Sequence, residues 1–515
     1  MLGITLDPAF AKNRRLYLYY SDPVKLLNRL SRFTLKDGVI DMASEKMLLE
    51  IPTDRRDRVC HQAGSLSFGP GGLLYLSTGD NTNPFESSGC APIDDRKDRD
   101  HTNAMRSAGN TNDLRGKVLR IRPTESGYEI PEGNLFPKGT PKTRPEIYVM
   151  GCRNPFRLSI DPKNSTLYWG EVGPDASKPS DRGPAGHDEV NQAKKAGNFG
   201  WPFVVADNKP YPIVDFATGK PGVMTDPAAP KNPSTHNTGL VDLPAANKAF
   251  IWYPYSASVE FPEMGSGGRN AMAGPVFYYD SGRKWNLLDK EDDHTLLTYD
   301  WMRSTIWKAK LGKDEEFVKL EPLMKGLRHP MDLETDADGN VWLLEYGTEW
   351  YFNKTGAIKR LRPKATGDAA PPVVTVAAVK DAKGQFEANV PEGATIQWWM
   401  TVGANERMIG TDKRITLPET KGTDLRAVVT DKGGRVSISG VSLLEKKADP
   451  ALLVSLTAGP KSLGFGESVK FAVTNTPAPK AADTVIRARY IPPTGHDAGG
   501  PQFSGDIEKL ITSKQ

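Results

Sequence analysis

The 515-residue sequence has only three cysteines, no run of about 18 apolar residues and no excess of charge of one sign. The missing apolar run excludes a transmembrane span in this sequence. Basic and acidic residues number 67 and 63, so the net charge is only +4, and a strongly basic nucleic-acid footprint is excluded. Three cysteines are an odd number and cannot all pair within the chain.

Turns and strands dominate what is present. The 49 glycines and 41 prolines are scattered among aliphatic and aromatic strands, which is typical of turns and not of disorder. A turn followed by such a strand recurs in LDPAFAKNRRLYLYY, FGPGGLLYLSTGD, IDPKNSTLYWGEVG and TDADGNVWLLEYG. This recurrence predicts radial repetition of a sheet unit, with long insertions at residues 81–115 and 203–275. The length permits one large all-β domain followed by smaller ones.

Residues 60–80, CHQAGSLSFGPGGLLYLSTGD, predict a β-hairpin with a histidine at one end and an aspartate at the other. We expect His61 to open the first strand and Asp80 to close the second. If the strands pair, a base and its orienting carboxylate meet at one end of the sheet. The alternative is a core histidine beside an aspartate that forms a turn.

A second polar cluster lies in residues 150–202. Arg153 precedes Asn154 and a proline, a pattern that holds a guanidinium on a rigid turn, where it grips an oxyanion or caps a neighbouring strand.

The same cluster offers oxygen ligands. Downstream, Gly173 and Pro174 present carbonyl oxygens, and Asp188 and Glu189 follow a glycine-rich loop. Carbonyl and carboxylate oxygens suit calcium, although acidic residues in such loops are more often solvated turns.

These motifs occur in the order HQAGSL, GD, CRNP, GP, DEVN and GNFGWP, and the chain from about residue 2 to residue 362 resembles the soluble glucose and sorbosone dehydrogenases. Those enzymes use pyrroloquinoline quinone. The chain is most similar to a bacterial subgroup that carries immunoglobulin-like and cytochrome c modules, through the segments STGDNTNPF, NTNDLRGKVLRI, RPEIYVMGCRNPFR and LEYG. The resemblance implies an all-β fold, a six-bladed β-propeller over residues 1–362, with an upstream strand and signal segment expected before Met1.

The resemblance also implies a chemistry. A sugar hydroxyl carbon would transfer hydride to the quinone, with His61 as general base, Asp80 holding its ring and Arg153 bracing the quinone oxygen. Calcium at Gly173, Pro174, Asp188 and Glu189 would polarise the same carbonyl.

Two cofactor-binding positions depart from the family pattern. Met302 stands where a lysine is expected, and Met331 stands at one of two expected arginines. Because the quinone carries three carboxylates, we expect replacement cations to converge with Arg153 on the propeller axis. The predicted cofactor-binding residues are Arg153, Asn154, Arg269, Arg303, Arg328 and His329.

Smaller units are predicted after the propeller. A linker of proline, glycine and alanine spans residues 363–371, and the strands of residues 372–446 are typical of an immunoglobulin-like sandwich. Residues 447–515 are expected to form a small β unit with a C-terminal helix, which either ends there or leads to a cytochrome c domain. The resemblance implies a periplasmic or secreted location and a carbohydrate substrate.

Two questions stay open at this level. Cys60 and Cys152 each precede a candidate site residue, so they form either a disulfide or free buried thiols. The alternative to a dehydrogenase is a propeller that binds or cleaves carbohydrate without redox chemistry.

Overall fold

The computed structural model describes residues 1–56, 58–283, 285–349, 355–361, 374–382, 384–402, 405–417, 423–431 and 436–442. The chain divides into two compact units, residues 1–364 and 365–515. Helices are single turns, namely α1 (Phe10–Asn13) and 3₁₀ turns at Pro70–Gly72, Phe85–Ser87, Asp100–Thr102, Ala104–Arg106, Pro262–Met264 and Lys290–Asp292. No helix in the described parts of the chain is long and apolar enough to cross a membrane.

Strands make up the rest of the regular structure. Those of the first unit are β1 (Gly3–Leu6), β2 (Arg15–Ser21), β3 (Leu27–Lys36), β4 (Val39–Pro52), β5 (Leu66–Gly69), β6 (Leu73–Thr78), β7 (Lys117–Pro123), β8 (Tyr128–Glu129), β9 (Ile147–Met150), β10 (Pro155–Ile160), β11 (Leu167–Glu171), β12 (Asp188–Ala193), β13 (Gly197–Asn198), β14 (Val204–Val205), β15 (Lys209–Pro210), β16 (Pro212–Asp215), β17 (Lys220–Met224), β18 (Ile251–Tyr253), β19 (Ala271–Phe277), β20 (Thr295–Asp300), β21 (Thr305–Leu311), β22 (Phe317–Lys325), β23 (Pro330–Thr335), β24 (Val341–Glu345) and β25 (Ala357–Leu361).

These strands form five larger sheets, which we number in chain order. Sheet 1 is β1-β2-β3-β4, sheet 2 is β5-β6-β7-β9-β13 with β8 beside β7, and sheet 3 is β10-β11-β12-β18. Sheet 4 is β19-β20-β21-β22 and sheet 5 is β23-β24-β25; two ribbons, β14-β15 and β16-β17, complete the unit. Consecutive strands pair antiparallel within each sheet, except that β13 joins β9 in parallel.

Sheets that follow one another in the chain pack face to face, so sheets 2, 3 and 4 each lie between two neighbours. Leu74 belongs to the core shared with sheet 1, whereas the adjacent Tyr75 belongs to the core shared with sheet 3. In sheet 3, Trp169 faces sheet 2 and Tyr168 faces sheet 4. Because successive strand residues point to opposite faces, each central strand feeds two cores, and its sequence is almost continuously apolar.

The first strands of successive sheets also adjoin one another, as expected of blades around an axis. β5 contacts β1 on one side and β10 on the other, and β19 contacts both β10 and β23. The amide of Leu158 in β10 donates to the Ser65 hydroxyl next to β5 (3.2 Å). The prediction of an all-β propeller fold is confirmed; the described residues supply five blade sheets, and the sixth stays a prediction.

The second unit contains two sheets around one core. Its strands are β26 (Val376–Ala378), β27 (Gln385–Ala388), β28 (Thr395–Val402), β29 (Asn405–Gly410), β30 (Arg414–Thr416), β31 (Thr423–Thr430) and β32 (Val436–Ser442). The sheets are β26-β27-β30 and β29-β28-β31-β32, with Trp398 fully buried in the core. Its immunoglobulin-like class stays a prediction. The predicted linker 363–371 and the unit 447–515 lie outside the described residues.

Candidate functional site

His61 and Asp80 meet at one end of sheet 2. Nδ1 of His61 lies 2.8 Å from Oδ1 of Asp80. His61 does not open a strand as expected, because β5 begins at Leu66 and His61 has a left-handed φ of 59°. The loop approaches so closely that a side chain at Gly79 would collide with the His61 carbonyl. The predicted contact is present, but a loop forms it instead of a strand end.

Asp80 is completely buried, and both of its oxygens are engaged. Oδ1 also accepts from the amide and hydroxyl of Thr82, at 3.1 and 3.0 Å. Oδ2 accepts from the indole N–H of Trp201 (2.8 Å). Burial opposes its ionisation, but the His61 ring and the indole N–H hold the pKa of Asp80 below its usual range. Trp201 was not selected from the sequence, although it stands in the quoted motif GNFGWP.

The electrostatics of this pair favour a protonated ring. Burial and the Arg153 guanidinium lower the pKa of His61, but the Asp80 carboxylate outweighs both and raises it to about 9. The His61 side chain is only 8 % exposed. The ring is thus held by one nitrogen on a fixed carboxylate, which leaves Nε2 for other partners.

Arg153 lies beside the pair on a turn before β10. Its carbonyl accepts from the Asp80 amide (2.8 Å), and its NH1 donates to the Val172 carbonyl (2.8 Å). Nε of Arg153 is buried and has no hydrogen-bond partner among the described residues. Asn154, expected to bind cofactor, instead accepts from the Ala63 amide (3.1 Å) and so steadies the loop that carries His61.

The buried Glu171 holds this turn in place, and a second buried glutamate, Glu189, lies near it. Oε1 of Glu171 accepts from the amides of both Arg153 (2.8 Å) and Asn154. Glu189 stands opposite Glu171 across β11 and β12. Burial, helped by the charge of Glu189, raises the pKa of Glu171 to about 8. The sequence analysis missed Glu171, because its role depends on strand pairing.

The four predicted metal ligands do not converge. Asp188 and Glu189 are consecutive in β12, so their side chains point to opposite faces. Glu189 accepts from the Ala206 amide (2.5 Å), away from the Gly173–Pro174 turn. Only Asp188 reaches that turn, through the Gly173 amide (3.1 Å).

A guanidinium occupies the side of Asp188 where a cation was expected. NH1 of Arg269 lies 3.2 Å from Oδ1 of Asp188, and NH2 donates to the Pro174 carbonyl (2.7 Å). Both side chains are 1 % exposed. Burial raises the pKa of Asp188 to about 6, although Arg269 opposes the rise.

The convergence of the arginines on the propeller axis stays a prediction, and the structure gives each of them local contacts. Arg303 donates to the carbonyls of Pro254, Met264, Gly265 and Gly268. Arg328 is exposed, and its amide donates to Glu345 (3.0 Å). His329 stacks on Trp301, with ring centres 4.0 Å apart, and its Nδ1 lies 2.9 Å from the Trp301 carbonyl. These groups brace local loops because backbone carbonyls in tight loops need donors.

The donor set therefore fits an anionic cofactor in part. The buried, unpartnered Nε–H of Arg153 suits a carboxylate or quinone oxygen. Arg303 already has its partners, whereas Arg269 is paired with Asp188 and Pro174 but keeps a buried Nε without a hydrogen-bond partner among the described residues. Cys60, Cys90 and Cys152 are free thiols, so the disulfide alternative is wrong for this structure.

Comparisons with known proteins show which family this chain is similar to. The family model described as glucose/sorbosone dehydrogenase matches residues 1–247. The aldose sugar dehydrogenase YliI of Escherichia coli (strain K12) is 28% identical over 207 residues, which are 39% of this chain and 46% of that protein. Quinoprotein glucose dehydrogenase B of Acinetobacter calcoaceticus is 23% identical over 382 residues, covering 66% and 71% of the two chains.

A solved structure gives a further comparison. The PQQ-bound aldose sugar dehydrogenase of Streptomyces coelicolor aligns over 70% of this chain and 78% of its own, with a TM-score of 0.41 and 18% identity. The present chain spans about half the length of the Escherichia coli protein. Residues 1–247 of this chain are thus similar to the glucose/sorbosone dehydrogenase family.

Proposed function

We propose that this protein is a sugar dehydrogenase that uses pyrroloquinoline quinone. The observation that carries the proposal is the buried His61–Asp80 pair, with the unpartnered Nε–H of Arg153 beside it. A histidine held by a carboxylate through one nitrogen is suited to take a proton at the other. A buried N–H without a partner favours a ligand that brings an acceptor.

The residues of the chain would divide the work as follows. Asp80 holds Nδ1 of His61, so Nε2 faces the substrate hydroxyl and takes its proton. Arg153 donates to a cofactor oxygen, and Glu171 keeps the Arg153 turn in place. When bound, the quinone supplies the acceptor for the hydride that leaves the sugar carbon.

A calcium ion at the Gly173–Pro174 turn would compete with Arg269. The carbonyl oxygens of Gly173 and Pro174 would hold it, but the Pro174 carbonyl already accepts from Arg269. Asp188 is likewise paired with that guanidinium. Calcium binding therefore requires Arg269 to give up one of these contacts.

A second candidate function is carbohydrate binding without redox chemistry. The observation in its favour is that Arg269 contacts Asp188 and Arg303 donates to loop carbonyls. Few cations are then left to pair with the three carboxylates of the quinone. A neutral sugar needs no such cations.

The dehydrogenase proposal also implies an electron acceptor and a cellular location for this protein. We propose a cytochrome c, as a domain or a separate protein, as the acceptor, and a periplasmic or secreted location. Both depend on the quinone.

One titration separates the two functions. Purified protein is titrated with pyrroloquinoline quinone and calcium, followed by calorimetry and quinone absorbance, and then mixed with aldoses and an artificial electron acceptor. Stoichiometric quinone binding with sugar-dependent dye reduction supports the dehydrogenase. Sugar binding without quinone binding supports the second candidate.

A further inference from the structure

A second cluster of metal-ligating side chains joins sheets 3 and 4. It consists of Asp161 after β10, His294 before β20 and Glu315 in the turn between β21 and β22. Arg153 lies before β10 and Asp161 after it, so the cluster stands at the opposite end of that strand. A six-residue strand is about 20 Å long, which separates the cluster from the candidate active site.

The three side chains present their ligand atoms to one point. One nitrogen and two carboxylate oxygens lie within 4.8 Å of one another. Nε2 of His294 is 2.8 Å from Oε1 of Glu315 and 4.0 Å from Oδ2 of Asp161. Ligands at about 2.0–2.2 Å from one ion stand at similar separations, so small side-chain shifts suffice to close a coordination sphere.

Nε2 of His294 is a buried nitrogen that has no hydrogen-bond partner among the described residues. Nε2 of His294 is shielded from solvent and makes no directed hydrogen bond, although Glu315 is only 2.8 Å away. The carboxylate oxygen thus lies near the ring nitrogen but off the direction of an N–H. Close approach without a bridging proton is the arrangement of two ligands on one cation.

The surroundings orient the ligands as an outer shell does. The Tyr278 hydroxyl donates to Oδ2 of Asp161 (2.9 Å), and its ring stacks on His294 with an interplanar angle of 11°. The Tyr168 hydroxyl donates to Oε2 of Glu315 (2.8 Å). Outer partners of this kind fix metal ligands in proteins.

The charge of the cluster also calls for a cation. Asp161 is fully buried and Glu315 nearly so. Within the described residues no lysine or arginine pairs with either carboxylate. Two buried carboxylates without a cation are costly.

We propose that Asp161, His294 and Glu315 form a binding site for a divalent transition-metal ion of the Zn²⁺ type. An imidazole with two carboxylates suits Zn²⁺, whereas Ca²⁺ and Mg²⁺ prefer oxygen alone. A water would complete the coordination sphere as the fourth ligand. The ion links the β10–β11 side of sheet 3 to the β21–β22 turn of sheet 4.

The test uses chelator-treated full chain and ZnCl₂. Calorimetry is expected to give one equivalent of Zn²⁺ at this site and a higher melting temperature with the ion. His294→Ala and the near-isosteric Glu315→Gln should each weaken that binding at least tenfold and remove the thermal shift. The matched control is His101→Ala, because the His101 imidazole lies 3.9 Å from Glu86 and no third candidate ligand joins them within the described residues. This variant should bind Zn²⁺ as the parent does.

A second readout identifies the ligands. Co²⁺ in place of Zn²⁺ should give visible absorption that both variants lose. If His294→Ala does not fold, Glu315→Gln decides the question. Absence of Zn²⁺ binding, or binding unchanged in Glu315→Gln, overturns the proposal.

Discussion

The guanidinium of Arg269 lies 3.2 Å from Oδ1 of Asp188 and donates to the Pro174 carbonyl, with both charged side chains almost wholly buried. It fills the position in which the sequence places a calcium ion. The Arg269 guanidinium thus supplies the positive charge that the buried Asp188 carboxylate needs.

Replacement of Arg269 alone should be strongly destabilising. In Arg269→Gln, Asp188 keeps a buried charge without a partner, which costs about 3–5 kcal/mol in the free energy of unfolding. Urea denaturation measures the loss. The double variant Arg269→Gln/Asp188→Asn should recover most of it, and Ca²⁺ should stabilise the single variant more than the parent. Equal losses in the single and double variants would contradict the pairing.

His61→Asn should abolish turnover and spare the fold. Loss of a general base lowers the rate on the order of 10²- to 10⁴-fold. Steady-state oxidation of an aldose with a dye acceptor measures it, and quinone affinity should change little. The control is His187→Asn, a buried histidine whose Nδ1 lies near a backbone carbonyl, 2.8 Å away, and not a carboxylate. Comparable rates for His61→Asn and the parent would remove His61 from the mechanism.

The pH profile should depend on Asp80. Since Asp80 raises the pKa of His61 to about 9, the ring is protonated at neutral pH and kcat/KM should rise with pH towards that value. In Asp80→Asn the carboxylate is gone, while burial and Arg153 still lower the pKa, so the inflection should move to lower pH. An unshifted inflection would show that His61 is not the titrating base.

The same pKa shift has a consequence for stability. The folded-state pKa of His61 lies above its unfolded value, so the His61–Asp80 pair contributes fully below about pH 6.5. Its contribution is lost as the pH rises through about 9. Asp80→Asn should therefore be less stable than the parent at pH 6 and differ less at pH 10, as measured by urea denaturation.

Arg153 should dominate quinone affinity among the predicted cations. Arg153→Ala removes a buried donor that has no hydrogen-bond partner among the described residues, and we expect the dissociation constant of the quinone to rise at least tenfold, about 1.4 kcal/mol. Calorimetric titration measures it. Arg328→Ala is the matched control, because that side chain is exposed. A larger effect at Arg328 than at Arg153 would reverse the assignment.

The raised pKa of Glu171 should make the free energy of unfolding fall as the pH rises. Its folded-state pKa of about 8 exceeds that of an unfolded glutamate, so the folded state binds more protons between about pH 4.5 and 8. Stability should fall across that window, and Glu171→Gln should flatten the fall. Urea midpoints at several pH values measure both slopes; equal slopes would mean that Glu171 stays ionised when folded.

Local pattern was sufficient for the fold class and for the central pair. Turn residues before apolar strands mark the blade sheets, since strand period and turn chemistry are properties of neighbouring residues. His61 and Asp80 come together because the hairpin between them brings its two ends to one place.

Which carboxylates and carbonyls the arginines contact was decided by tertiary structure. Asp188 and Arg269 are far apart in sequence, and only the packing of sheet 3 against sheet 4 brings them together. His294 reaches Asp161 for the same reason, and Trp201 reaches Asp80 because β13 joins sheet 2 beside β9. Both contacts join segments that no local pattern relates. The sequence thus determined which side chains were available for chemistry, and the packing of the sheets decided which of them were already neutralised.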